Sequence, residues 1–135
     1  MTIRHKNFVT EIATRPAQEA LAHFESRFAF ETDCADVHST ASFEDRGFVL
    51  LDVRSKALFD RGHVPGATHI PQAKITEERL SEYPEETLFV VYCAGPHCNG
   101  STRAAARIAR LGRPVKEMIG GVTGWIDEGY DLEAS

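Results

Sequence analysis

The chain has 135 residues, 20 of them acidic against 15 basic, and a formal net charge of −5. That length suits one domain with a real core, and that balance offers no basic face to nucleic acid or to an anionic membrane. The opening MTIRHKNFVTEIATR lacks the apolar run of a secretory leader, and no stretch of about eighteen apolar residues occurs, so a cytoplasmic protein that does not cross a membrane is expected.

A short helical segment is expected at residues 6–13. A longer amphipathic helix is expected at residues 15–29, where Ala17, Ala20, Leu21, Phe24 and Phe28 recur at helical spacing after Pro16. Residues 1–30 are accordingly read as a helical extension packed on a domain formed by residues 31–135, with the Phe24 and Phe28 face able to support a dimer; monomer and homodimer both stay open. Phe48-Val49-Leu50-Leu51-Asp52-Val53 and Thr87-Leu88-Phe89-Val90-Val91-Tyr92 are continuous apolar runs rather than alternating ones. Such runs are the mark of strands buried on both faces of a parallel sheet. Shorter extended segments are expected at 67–70 and 115–119, with helices at about 55–61, 76–82, 101–111 and 121–128. Strands alternating with helices predict an α/β fold with right-handed crossovers and helices on both sheet faces, and a ligand site beyond the carboxyl ends of the strands.

Cys93 follows directly from the second long strand, and Cys98 stands five positions later, before an alanine-rich helix. Between and beyond them lie Ala94, Gly95, Pro96, His97, Asn99, Gly100, Ser101, Thr102 and Arg103. Gly95 and Gly100 give the loop backbone freedom, so amides of residues 94–101 can converge on an anion at the positive end of the helix. Asn99, Ser101 or Thr102 can cap that helix and add donors, His97 can help when protonated, and Arg103 is the nearest fixed cation. A thiolate so placed at Cys93 can attack a sulfane sulfur and hold it as a persulfide. Cys98 can resolve that persulfide, or a sulfenic acid, as a disulfide, or can itself be the nucleophile. Cys34 lies outside the loop and reads as a buried structural residue. Three cysteines in a chain that needs no disulfide staple suggest reduced thiols.

Five segments, in order, resemble the rhodanese domain family over about residues 32–132. They are Leu50-Leu51-Asp52-Val53-Arg54 with Phe59, Gly62-His63-Val64-Pro65-Gly66-Ala67 with Ile70-Pro71, Val91-Tyr92-Cys93, Ala104-Ala105, and Gly120-Gly121-Val122-Thr123-Gly124-Trp125. The resemblance implies a five-stranded parallel sheet with helices on both faces. It also implies a sulfurtransferase that moves sulfur from thiosulfate or a persulfide donor, through a persulfide on Cys93, to cyanide or a thiol, protein thiols included. By the same resemblance Asp52 and Arg54 support the site through ion pairing and hydrogen bonds; His63 reads as capping or bracing its turn rather than binding a ligand. No organic cofactor and no metal is called for, since Cys93, His97 and Cys98 with His63 or His69 match no structural zinc spacing.

The loop is about two residues longer than in the usual single-domain member, and Pro96 removes one amide. Related phosphatases and arsenate reductases use Cys-x5-Arg, but Asn99 stands six positions after Cys93, and Arg103 comes five after Cys98. The rival of another class is a partner-binding or redox-sensing module using the Cys93 and Cys98 pair.

Overall fold

Val49-Leu50-Leu51-Asp52 and Phe89-Val90-Val91-Tyr92 pair residue for residue as parallel central strands, Val49 opposite Phe89 and Asp52 opposite Tyr92. The computed structural model describes residues 5–135, so the first four residues of the expected extension lie outside the described residues. In chain order the elements are α1 (Ala17–Phe30), β1 (Glu31–Asp33), α2 (Cys34–His38), β2 (Val49–Asp52), α3 (Lys56–Arg61), β3 (Thr68–His69), a 3-10 turn (Gln72–Lys74), α4 (Glu77–Leu80), β4 (Phe89–Tyr92), α5 (Gly100–Arg110), β5 (Val115–Ile119) and α6 (Gly121–Asp127). One five-stranded sheet in the order β1-β5-β4-β2-β3 carries them, every pairing parallel.

The continuous apolar runs are explained by two cores, one on each face of the sheet. Leu51, Val53, Phe89 and Val91 pack with Ala104 and Ile108 of α5 on one side. Leu50, Val90 and Tyr92 pack with Val37 of α2 and Trp125 of α6 on the other. Successive strand residues point to opposite faces, so a strand covered on both sides has no polar alternate. The chain leaves β2 toward one side of the sheet, into β3, and leaves β4 toward the other, into β5, which opens a crevice at the carboxyl ends of these two strands.

The N-terminal part departs from expectation. Residues 6–13 make only a single turn, in which the Glu11 amide donates to Asn7 O at 3.0 Å and the Thr10 amide to Asn7 Oδ1 at 2.9 Å. Phe8, Val9 and Ile12 stay exposed, and a short segment with β-branched residues does not hold a helix without packing. Helix α1 forms directly after Pro16 but buries none of its side chains; Leu21, Phe24 and Phe28 are 60 %, 56 % and 72 % exposed. The apolar face expected to pack on the domain is therefore open. Its physical reason is the connection: α1 runs into edge strand β1 with no residue between Phe30 and Glu31, leaving no loop that could fold it back over a sheet face. Strand β1 and helix α2, the latter capped by Asp33 Oδ1 accepting from the Asp36 amide at 2.8 Å, have no counterpart among the predicted elements. Among the described residues, no helix is long and apolar enough to cross a membrane.

Candidate active site at the end of strand β4

Cys93 is the first residue beyond β4, and because Tyr92 faces the α6 side, Cys93 faces the α5 side. The start of α6 grips the backbone here. The Val122 and Thr123 amides donate to Cys93 O and Ala94 O at 3.1 and 2.9 Å, and Thr123 Oγ1 also donates to Ala94 O at 3.0 Å. This approach requires glycine at 121: its φ is +57°, and a Cβ there would lie 2.4 Å from Cys93 O. The loop then turns back, with the Cys98 amide donating to Gly95 O at 3.0 Å. The turn brings Cys98 Sγ to 2.6 Å from Cys93 Sγ. Gly100 opens α5 against the pair, where a Cβ would stand 2.8 Å from Cys93 Sγ and 3.3 Å from Cys98 Sγ.

The two thiols differ in depth and in acidity. Cys93 is 7 % exposed, and burial, reinforced by its hydrogen bond to Cys98, pushes its thiol up to about 11 against the pull of the Ala94 amide. Cys98 is half-buried, and its pKa is lowered, first by the hydrogen bond from Cys93 and then by the Gly100 amide, which donates to Cys98 Sγ at 3.4 Å. Of the pair, Cys98 is thus the more acidic thiol and Cys93 the one that keeps its proton longer. The expectation placed the more acidic thiol at Cys93, whereas burial there favours the protonated form. The strand end is still inside the core, and amide donors and solvent reach Cys98 more readily. The donors seen at the sulfurs are the Ala94 and Gly100 amides, since Pro96 has none and that of Cys98 is engaged by Gly95.

A cavity of about 620 Å³ opens beside the pair, with Cys93 and Cys98 on its lining. Its walls are acidic. Asp33, Glu117 and Glu128 line it together with His97, and no lysine or arginine does so among the described residues. The hydroxyls of Ser101 and Thr102, expected as donors to a bound anion, instead donate to Glu117 Oε2 at 2.5 and 2.8 Å. Asn99 occupies the N-cap position of α5 without a capping bond, and its Oδ1 accepts from Arg103 Nε at 3.2 Å. Arg103 is therefore held on the exposed surface of the loop, away from the fork that oxyanion recognition by Cys-x5-Arg enzymes needs. Cys34, 4 % exposed, forms part of the same wall with its thiol facing Gly121 O at 3.5 Å, and burial raises it to about 11.

Asp52, Arg54 and His63 stand behind the site rather than in it. The Asp52 carboxylate accepts from Arg54 Nη2 at 2.7 Å, from Arg54 Nε at 3.1 Å and from Tyr92 Oη at 2.7 Å. Arg54 Nη2 also donates to Gly62 O at 2.6 Å, and Tyr92 Oη accepts from the Val64 amide at 3.0 Å. This buried network ties the ends of β2 and β4 to the 62–64 turn, and so fixes the residue before Cys93. His63 stacks on Phe59 at 3.8 Å between ring centres, with Nδ1 2.9 Å from Phe59 O, and its backbone exchanges two 2.8 Å bonds with Glu133. Neither His63 nor His69, whose Nε2 lies 2.8 Å from Arg54 O, lines the cavity. Among the described residues no three His, Cys, Asp or Glu side chains gather closely enough to hold a metal.

Sequence reasoning passed over Tyr92, Glu117 and the grip of Gly121 and Thr123. Two signals were present: a phenol inside an apolar buried strand needs a partner, and Glu117 breaks the apolar pattern of β5 where it passes the start of α5.

A model of the rhodanese-like domain matches residues 38–128. An HTH-type transcriptional regulator of Mycobacterium tuberculosis is 39 % identical over 87 residues, 59 % of this chain and 38 % of that protein. An adenylyltransferase and sulfurtransferase of Meyerozyma guilliermondii is 32 % identical over 101 residues, 68 % of this chain and 23 % of that protein. The chain thus spans less than half the length of the curated relatives it matches. The crystal structure of a Bacillus halodurans protein superposes with a TM-score of 0.84 at 37 % identity, covering 88 % of this chain and 87 % of that one.

Proposed function

The chain belongs to the rhodanese-like domain family, and from that membership and its thiol cavity we propose that it is a sulfurtransferase carrying sulfane sulfur as a persulfide on Cys93. The observation that carries this reading is a cysteine at the end of a central strand, on the lining of an open cavity, with the sulfur of the more acidic Cys98 beside it. Cys93 Sγ attacks the outer sulfur of thiosulfate or of a persulfide donor, its proton passes to Cys98, and sulfite or a thiolate leaves. The new outer sulfur carries the negative charge beside the Ala94 amide, which already favours the anion at Cys93. A thiol or cyanide then attacks that sulfur and returns Cys93 to its starting state. Asp52, Arg54 and Tyr92 act as positioning residues through the backbone of the strand end. The name of the Meyerozyma relative includes a sulfurtransferase, which supports the reading.

Sulfur transfer from thiosulfate to cyanide and to several thiols, followed by peptide mass spectrometry, tests it. The wild type is expected to gain one sulfur atom on Cys93, and Cys93→Ser to lose turnover by about a thousandfold or more. Sulfur found only on Cys98, with full activity in Cys93→Ser, would make Cys98 the nucleophile. Acceptors include protein thiols, and reduced cysteines suit the cytoplasm. The close sulfurs favour one second reading, an oxidant-sensing dithiol, with which a match to part of a transcriptional regulator is in keeping. Peroxide would then close the pair in a protein that takes no sulfur from any donor.

A further inference from the structure

We infer that Cys98 resolves the Cys93 persulfide, so that the protein releases the transferred sulfur as hydrosulfide and is left with a Cys93–Cys98 disulfide that an external dithiol must reduce. This inference rests on the sulfurtransferase reading and assigns its product and its final acceptor.

The geometry carries it. The two sulfurs point at each other in direct contact, so a disulfide between them forms without rearrangement of the loop. Cys98 is held there by its amide on Gly95 O and by Gly100, which has no side chain to separate the sulfurs. It also occupies the Gly100 amide, a donor the outer sulfur of a persulfide would use. A persulfide at Cys93 therefore forms against a neighbour already placed for attack, whereas any external acceptor has to diffuse in.

Loading leaves Cys98 as a thiol and the outer sulfur as an anion. Cys98 Sγ then attacks Cys93 Sγ, the bond from Cys93 Sγ to the outer sulfur breaks, and the Cys98 proton leaves with that sulfur as HS⁻. Both cysteines are oxidised to the disulfide by two electrons, and the sulfane sulfur is reduced to sulfide. Cys98 is the more exposed half, so a dithiol reductant attacks Cys98 and Cys93 is the leaving thiol. Its second thiol completes the reduction and restores the resting pair.

Reduced full-length protein is incubated anaerobically with excess thiosulfate and no acceptor, sulfide is measured, and the intact mass is recorded. The expected result is one equivalent of sulfide per chain, a mass lower by two hydrogens, no retained sulfur, and further sulfide only when dithiothreitol is added. Cys98→Ser, loaded with a long incubation, is expected to keep one added sulfur and release no sulfide. Wild type that keeps the added sulfur while Cys98 remains open to alkylation overturns the inference and leaves the transferase reading standing. If neither protein takes sulfur from thiosulfate or from glutathione persulfide, both fall. The wild-type outcome decides the question even where a variant fails to fold.

Discussion

Cys98 owes its acidity to its neighbours. Its pKa lies below the ordinary thiol value because the Cys93 S–H and the Gly100 amide both donate to its anion, and both interactions favour the charged form. Removing the larger donor reverses the shift. In Cys93→Ala, alkylation of Cys98 by iodoacetamide is expected to reach half its maximal rate at a higher pH than in the wild type. An unchanged profile would show that the Cys93 proton is not shared. Both cysteines and the glycine between β4 and α5 could be read from the chain, since a strand running into a glycine loop already places a nucleophile. Which of the two thiols is the more acidic could not, because it depends on 7 % exposure at Cys93 and half-burial at Cys98, differences of depth inside one loop.

At the level of elements, the site is a clasp between the beginnings of two helices, α5 at Gly100 and α6 at Gly121. Helix propensity favours alanine over glycine by about 0.5–1 kcal/mol inside a helix, yet an alanine Cβ at position 100 would press within 2.8 Å of Cys93 Sγ. The clash should outweigh the propensity. Gly100→Ala is expected to keep its fold by circular dichroism while sulfur uptake from thiosulfate slows by about tenfold or more; uptake at the wild-type rate would show that the thiols do not need this approach. The long strands were legible because burial on both faces leaves an unbroken apolar run. Strand β1, three residues of which two are charged, carries no such signal, and its edge position comes only from pairing with β5. The turn at residues 6–13 shows the opposite case, in which apolar side chains suggested a helix that nothing in the chain packs against.

Across the whole molecule, five ordered motifs made the parallel sheet and its family legible, while the field over the site was hidden in the topology. A net charge of −5 left room for a local patch that would draw in an anion. Instead β5 brings Glu117 to the start of α5, and Asp33 and Glu128 stand on the same wall, although these three residues are widely separated in sequence. Likewise, the periodicity of α1 announced an apolar face but not what would cover it. The acid walls have a consequence for kinetics. Like charges meeting at the cavity mouth slow the approach of a dianion, and added electrolyte screens that repulsion over roughly 10 Å at 0.1 M. Sulfur uptake from thiosulfate should therefore speed up as sodium chloride is raised from low ionic strength, whereas discharge to a cationic aminothiol such as cysteamine should slow down. Stopped-flow rates at several ionic strengths distinguish this from a cavity built for oxyanions, in which both salt trends would have the opposite sign.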